Sequence, residues 1–238
     1  MVESKHLDSQ REVAINNVSR GLVTVTSPGS IVSDAYRTLR TNLMYTLRDV
    51  MPRTIIMTSP DSIEGKSTAC ANLAVVFAQA DKSTLIMDCD LRKPTVHELF
   101  GLRNEQGLAD ALAENRSLRE IWQEPLLGLK VVPAGSVPPN PTELLGSRVF
   151  AELLDQARQE FDYVLIDAPP TWPVSDALIL ATLGDGVLLV LDSRNTGKAA
   201  VRQAMNSLQG VGANVLGTVM NNIELSKDDY RHHGYPRE

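Results

Sequence analysis

Thr54-Ile55-Ile56-Met57-Thr58-Ser59-Pro60-Asp61-Ser62-Ile63-Glu64-Gly65-Lys66-Ser67-Thr68 is the stretch on which the reading of this chain turns. It runs from a short β-rich strand into a loop, then into Gly-Lys-Ser, and a helical pattern over Ala69–Ala80 follows. Strand, loop, Gly-Lys-Ser and helix in that order are the context of a phosphate-binding P-loop. Backbone N–H groups and the helix N-terminus would hold phosphates there. Lys66 would reach the β/γ oxygens and the Ser67 hydroxyl would ligate Mg²⁺. The candidate nucleotide-binding set is therefore Ser62, Ile63, Glu64, Gly65, Lys66, Ser67 and Thr68. The chain departs from GxxxxGK[ST] at Pro60, where glycine is required, and Ile63 is a β-branched residue poorly suited to positive φ. The competing reading of EGKST is an ordinary helix start with an exposed lysine.

Outward from this stretch, apolar runs recur at Thr84–Asp88, Tyr163–Asp167, Val187–Asp192 and Asn214–Met220, with a weaker one at Lys130–Pro133. Near-continuous hydrophobic strands separated by helical stretches imply a parallel sheet covered on both faces. The expected fold class is α/β: a three-layer αβα domain with a mostly parallel central sheet, of P-loop NTPase type. Two of the runs end in Asp, which places a carboxylate at the carboxyl edge of the sheet, where such proteins bind ligands. Tyr163-Val164-Leu165-Ile166-Asp167 reads as a Walker B strand with Asp167 serving Mg²⁺. Leu85-Ile86-Met87-Asp88-Cys89-Asp90-Leu91-Arg92 is of the same design, and Asp88 and Asp90, two apart in extended backbone, would face one metal–triphosphate centre. Arg92 either neutralises phosphate or pairs with Asp90. The bland alternative is that these Asp residues only cap turns.

Composition excludes several classes. The 238 residues are 43% hydrophobic and 22% charged, enough for one sizeable core. A net charge of -6 with 5% aromatics argues against a nucleic-acid partner, which asks for a basic footprint. Cys70 and Cys89 stand apart with no CxxC, so neither a disulfide framework nor a thiolate zinc site is expected. The opening MVESKHLDSQREV carries charges where a signal peptide is apolar, and no apolar run approaches the ~20 residues of a membrane helix. A cytoplasmic location is expected. Residues 1–32 read as an N-terminal extension and 33–225 as the domain. Residues 226–238 read as a flexible C-terminal tail. Helical spacing over 34–48 puts Tyr36, Leu39, Leu43 and Leu47 on one face, with Ser33 or Asp34 as the cap.

Taken together, GKST, LIMDCDLRKP and YVLIDAPP, with AGSVPPNPTELL at 134–145, resemble the bacterial tyrosine kinases of capsule and exopolysaccharide synthesis, in their stand-alone form. The likeness covers about residues 28–230. In AGSVPPNPTELL the local physics is a helix start: Asn140 as cap, Pro141 in the first turn, Glu143 closing a capping box. The resemblance implies ATP and Mg²⁺ as cofactors, with Lys66, Asp88, Asp90 and Asp167 as catalytic residues and Ser67, Asp88 and Asp167 at the metal. The related partition-type ATPases seat adenine against an Asn after a late strand, and that likeness implies Asn221 beside the adenine. A Glu-x-x-Arg-x-x-Arg ring contact corresponds to Asp34, Arg37 and Arg40, with Asp for Glu. Acceptor tyrosines would lie in the tail: Tyr230 and Tyr235 are two of the chain's five tyrosines.

The activity so implied is an ATP-dependent tyrosine autokinase regulating polysaccharide polymerisation or export. Its partners would be copies of itself, other tyrosine-bearing proteins, and a membrane-anchored activator of chain-length-regulator type that recruits it to the inner face of the membrane. Asp88 is the expected acceptor of the tyrosine proton. The alternatives are an ATPase switch of septum-positioning or partition type, and a non-catalytic nucleotide-dependent scaffold. The first lacks its extra P-loop lysine here, since Pro60 and Asp61 stand in that region.

Overall fold

The computed structural model describes residues 18–45 and 52–224. In chain order the elements are α1 (Val23–Thr26), α2 (Ile31–Tyr45), β1 (Thr54–Thr58), α3 (Lys66–Ala78), β2 (Thr84–Asp88), α4 (Val96–Phe100) and α5 (Leu108–Glu114). They continue with β3 (Gln123–Leu126), β4 (Leu129–Val132), α6 (Pro141–Leu145), α7 (Arg148–Glu160) and β5 (Tyr163–Asp167). The last are α8 (Asp176–Leu183), β6 (Gly186–Asp192), α9 (Lys198–Gly210) and β7 (Val215–Asn221). The seven strands form one sheet in the order β3-β4-β2-β5-β1-β6-β7. Every pairing is parallel except β3 with β4. This is the expected αβα architecture.

The continuous apolar runs are explained by their alternation between two cores. Ile56, Leu85, Met87, Val164, Ile166, Val187 and Leu189 point to the face covered by α5–α9. Ile55, Met57, Ile86, Leu165, Leu188 and Val190 point to the face covered by α1–α4. With a side-chain period of two, a strand buried on both sides has no polar face left to show. α3 sits deepest: Ala69 through Phe77 are all buried, and Phe77 stacks on Tyr163 with centroids 4.1 Å apart. The edge strand β3, Gln-Glu-Pro-Leu, has no apolar signature, because an edge tolerates both Pro125 and polar side chains.

Three local expectations are corrected. Residues 1–32 read as an extension, yet Leu22 is fully buried in the core. Thr24 donates both its N–H (3.0 Å) and its hydroxyl (2.8 Å) to Asn72 Oδ1. The domain therefore begins by residue 18. Helix α2 starts at Ile31, not at 34, because Ser30 Oγ accepts the Ser33 N–H at 3.2 Å. Ser33 itself is buried and donates its hydroxyl to Ser27 O, so tertiary packing chose among the available serines. At α6, Pro141 holds the first turn as expected, but the Asn140 side chain makes no cap bond. Leu47, at the end of the expected helix, lies outside the described residues, as do Tyr230 and Tyr235.

Candidate active site

Strand register assembles the site. β5 lies between β1 and β2, and Asp88 is the register partner of Asp167. The two carboxylates therefore end adjacent parallel strands, beside the loop that leaves β1. That loop delivers Lys66 as the first residue of α3, after Gly65 at φ +78. A Cβ at residue 65 would stand 2.0 Å from Asn221 Nδ2, so only glycine admits the approach of β7 to the loop. Ile63, fully exposed at 93%, takes φ +72. The loop has a glycine-like conformation at a β-branched residue, which stores strain of order 1–3 kcal/mol.

Lys66 is buried and its Nζ donates to Asp167 Oδ1 at 2.8 Å, with Ser67 Oγ at 3.2 Å and Asp90 Oδ2 at 3.5 Å. Burial acts to lower its pKa, but the Asp167 and Asp90 carboxylates outweigh it and hold the ammonium charged. Burial pushes Asp167 up despite Lys66, because one cation is shared among three carboxylates. Asp167 Oδ2 is buried with no partner among the described residues. An orphaned carboxylate oxygen beside a lysine and a hydroxyl suits a hydrated cation, and with Gly65 the residues present fit a metal-bound polyphosphate.

Asp88 has a second task. Its Oδ1 accepts the Asp90 N–H at 3.2 Å, and its Oδ2 accepts those of Thr95 and Val96 at 3.1 and 3.0 Å, capping α4. Burial, then the Asp167 charge, pushes its pKa up to about 8, against those N–H bonds. Asp90 is more open: Oδ1 accepts the Lys93 N–H at 3.1 Å while Oδ2 faces Lys66.

Two expected ligands are committed elsewhere. The Glu64 carboxylate turns away from the loop and accepts the Asp192 N–H and the Thr196 hydroxyl, so only its backbone remains for phosphate. Arg92 does not pair with Asp90. Its Nε donates to Asp176 Oδ2 at 2.7 Å and its Nη2 to Thr142 Oγ1 at 3.0 Å. Asn221 reaches the loop, with Nδ2 donating to Glu64 O at 3.2 Å. Ser62 and Thr68 are on the loop and on the first turn of α3, and Ser62 N–H is held by Asp61 Oδ1 at 2.7 Å. Cys70 and Cys89 are free and buried, and burial raises both thiols well above their ordinary pKa. Asp34, Arg37 and Arg40 lie together on α2. Arg37 pairs with Asp34 and donates to Pro28 O, while Arg40 donates to Val76 O at 2.8 Å, at the end of α3.

The reading from the residues missed Asn72, Asp176 and Glu64's anchoring role. The first two partner residues 48 and 84 positions away. For Glu64 the sole signal was a carboxylate in a loop meant for phosphate.

A family model described as an AAA domain matches residues 52–222. A tyrosine-protein kinase of Bacillus subtilis, YwqD, is 40% identical over 221 residues, covering 92% of this chain and 93% of that one. The chain belongs to the bacterial tyrosine kinases. Solved structures of that family agree. The chimerical protein CapA2B2 matches with TM-score 0.83 and 36% identity, covering 87% of this chain and 92% of that one. The kinase domain of Escherichia coli tyrosine kinase ETK matches with TM-score 0.80 and 31% identity, covering 86% and 82%. The tyrosine-kinase family thus shares this chain's fold.

Proposed function

We propose that this tyrosine kinase transfers the γ-phosphoryl of ATP to tyrosines of a neighbouring copy, Tyr230 and Tyr235 first, and thereby regulates synthesis of a capsular or extracellular polysaccharide. One observation carries the reading. A buried lysine at a helix N-terminus is held between the carboxylates that end β5 and follow β2, at 2.8 and 3.5 Å. Phosphoryl transfer needs positioned positive charge and a metal anchor more than it needs covalent groups. The P-loop N–H groups and the α3 terminus bind the β- and γ-phosphates, and Lys66 moves from Asp167 to the phosphate oxygens.

Ser67 Oγ and the free Asp167 Oδ2 would hold Mg²⁺, which supplies charge neutralisation when bound. No group of three His, Cys, Asp or Glu side chains stands ready as a metal cage among the described residues. That agrees with an ion completed by phosphates and water. The tyrosine proton goes to the Asp88–Asp90 pair. Asp88 has the raised proton affinity and one unused lone-pair position, since three N–H groups occupy the others. Asp90 has the open oxygen. Asn221, whose amide is held at Glu64 O, would contact the base.

Arg37, Arg40 and Asp34 would form the ring contact through whatever capacity their internal bonds leave. No described helix is long and apolar enough to cross a membrane. Recruitment to the membrane would be the task of an anchored activator.

The test is incubation with labelled ATP and Mg²⁺, followed by mass spectrometry of Tyr230 and Tyr235, with and without a candidate activator tail. Phosphotyrosine in the wild type and none in Lys66→Met is the expected result. Release of inorganic phosphate alone would replace the kinase by an ATPase switch. Asp88→Asn and Asp90→Asn, compared at saturating ATP, separate the two proton acceptors.

A further inference from the structure

The segment AGSVPPNPTELL has no part in the transfer chemistry described above, yet its Thr142 reaches the edge of the site. Thr142 Oγ1 donates to Asp176 Oδ1 at 2.6 Å and accepts from Arg92 Nη2 at 3.0 Å. Asp176 is 1% exposed and also takes Arg92 Nε at 2.7 Å and Nη2 at 3.3 Å, a bidentate grip. Three separate segments, those following β2 and β5 and the start of α6, thus meet in one closed network. A buried carboxylate is costly unless paired, and this one is fully paired to a half-exposed arginine and a hydroxyl. Its position in the first turn of α8 adds the favourable end of the helix dipole.

Arg92 lies in the turn that contains Asp90. The turn's inner side is held by Asp88, through the N–H groups of Asp90, Thr95 and Val96, and by Asp90, through that of Lys93. Its outer side is held by the Arg92 side chain alone among the polar contacts described. We infer that Asp176 and Thr142 are positioning residues for phosphoryl transfer. They act through Arg92 to fix the Asp90 turn against Lys66, and this is the task of the PPNPTELL segment. The inference rests on the kinase reading. Nucleotide would be gripped by the P-loop, to which none of the three hydrogen-bonds, so loosening the turn would misplace the transfer groups without loosening ATP. A carboxylate misplaced by about an ångström costs on the order of tenfold to a hundredfold in rate.

The experiment uses the full chain and reads kcat for tyrosine phosphorylation beside the dissociation constant of a fluorescent ADP analogue. Asp176→Asn, Thr142→Val and Arg92→Gln are each expected to lower kcat at least tenfold, with the dissociation constant unchanged within twofold. Thr142→Ser keeps the hydroxyl and restores kcat to within twofold of wild type. Because the three act as one unit, Arg92→Gln added to Asp176→Asn lowers kcat no further. Losses that multiply, or an unchanged kcat in Asp176→Asn with only a lower melting temperature, would overturn the inference. If the wild type transfers no phosphoryl at all, the kinase reading fails first, and that outcome is distinct.

Discussion

Replacing Gly65 by alanine tests the geometry of the loop more sharply than removing any charged residue. Two independent effects meet there. The backbone is left-handed at φ +78, a conformation that costs an L-residue about 1–2 kcal/mol. The new Cβ would also stand 2.0 Å from Asn221 Nδ2, so the amide must swing away. That swing breaks its bonds to Glu64 O and to the Asn222 N–H, at about 0.5–1.5 kcal/mol each. Against this, alanine restricts the unfolded chain and returns about 0.4–1 kcal/mol. The net loss is about 1–5 kcal/mol, read as a lower urea midpoint at unchanged slope.

Asn221→Ala removes the bonds without the clash and should cost about 1–3 kcal/mol. The double variant keeps only the backbone strain and the lost bonds, which both single variants already share. Its loss is therefore about 1 kcal/mol or more below the sum of the singles. Strict additivity, or a Gly65→Ala protein within 0.5 kcal/mol of wild type, would refute the close approach of β7 to the loop.

Ile63→Gly should act in the opposite direction, stabilising by about 0.5–1 kcal/mol in urea, because φ +72 suits glycine and the exposed side chain buries nothing. Asn72→Ala should destabilise by about 2–4 kcal/mol. Its amide donates to Gly21 O and Thr68 O at 2.8 Å each, and truncation also leaves the buried Thr24 N–H unpaired. Amide exchange at Gly21–Thr26 should rise with it, while a change confined to α3 would disprove the docking role. Tyr36 should titrate late. Burial, with a smaller push from Cys70, raises its phenol to about 12. A raised folded pKa adds stability below pH 10 that is lost as the pH climbs from 10 to 12. Burial raises the Tyr163 phenol as well, so absorbance at 295 nm should show two late tyrosines, and Tyr36→Phe should remove one of them together with its share of the alkaline loss.

The strands and the ends of the site were legible because both are written locally. A strand covered on two faces has to be apolar throughout, so β1, β2, β5 and β6 announce themselves, and Asp88 and Asp167 follow as the first polar residues at their ends. The difficulty at Ile63 was also visible, since a β-branched residue stands where the loop needs positive φ. What stayed hidden is non-local. β3 is short, polar and at an edge, where pairing tolerates almost any residue. The start of α2, read at Ser33 or Asp34, falls instead at Ile31, because packing buries Ser33 against Val23 O and Ser27 O. Arg92 had two conceivable partners, a phosphate or Asp90, and chose a third, Asp176, brought in by the turn after β5.

Charge balance in the site yields one last consequence. Asp88, Asp90 and Asp167 are buried around Lys66, so three carboxylates face one ammonium. Burial first, and the neighbouring carboxylates after it, push Asp88 and Asp167 up. A free polyphosphate would add several more negative charges and draw Lys66 away from the carboxylates it now satisfies. Two unit charges about 4 Å apart interact by about 4 kcal/mol at the effective dielectric near a protein surface, so even one unrelieved pair is prohibitive. A divalent cation at the orphaned Asp167 Oδ2 relieves both the carboxylate and the phosphates. Nucleotide should therefore enter only as its metal complex. Titration of a fluorescent ADP analogue in Mg²⁺ and again in EDTA should show binding weakened at least a hundredfold without the metal. Asp167→Asn, which removes one negative charge, should shrink that gap. Equal affinity in both buffers would mean that the P-loop and Lys66 bind phosphate unaided, and that Asp167 Oδ2 is an unpaired oxygen with no ligand to serve.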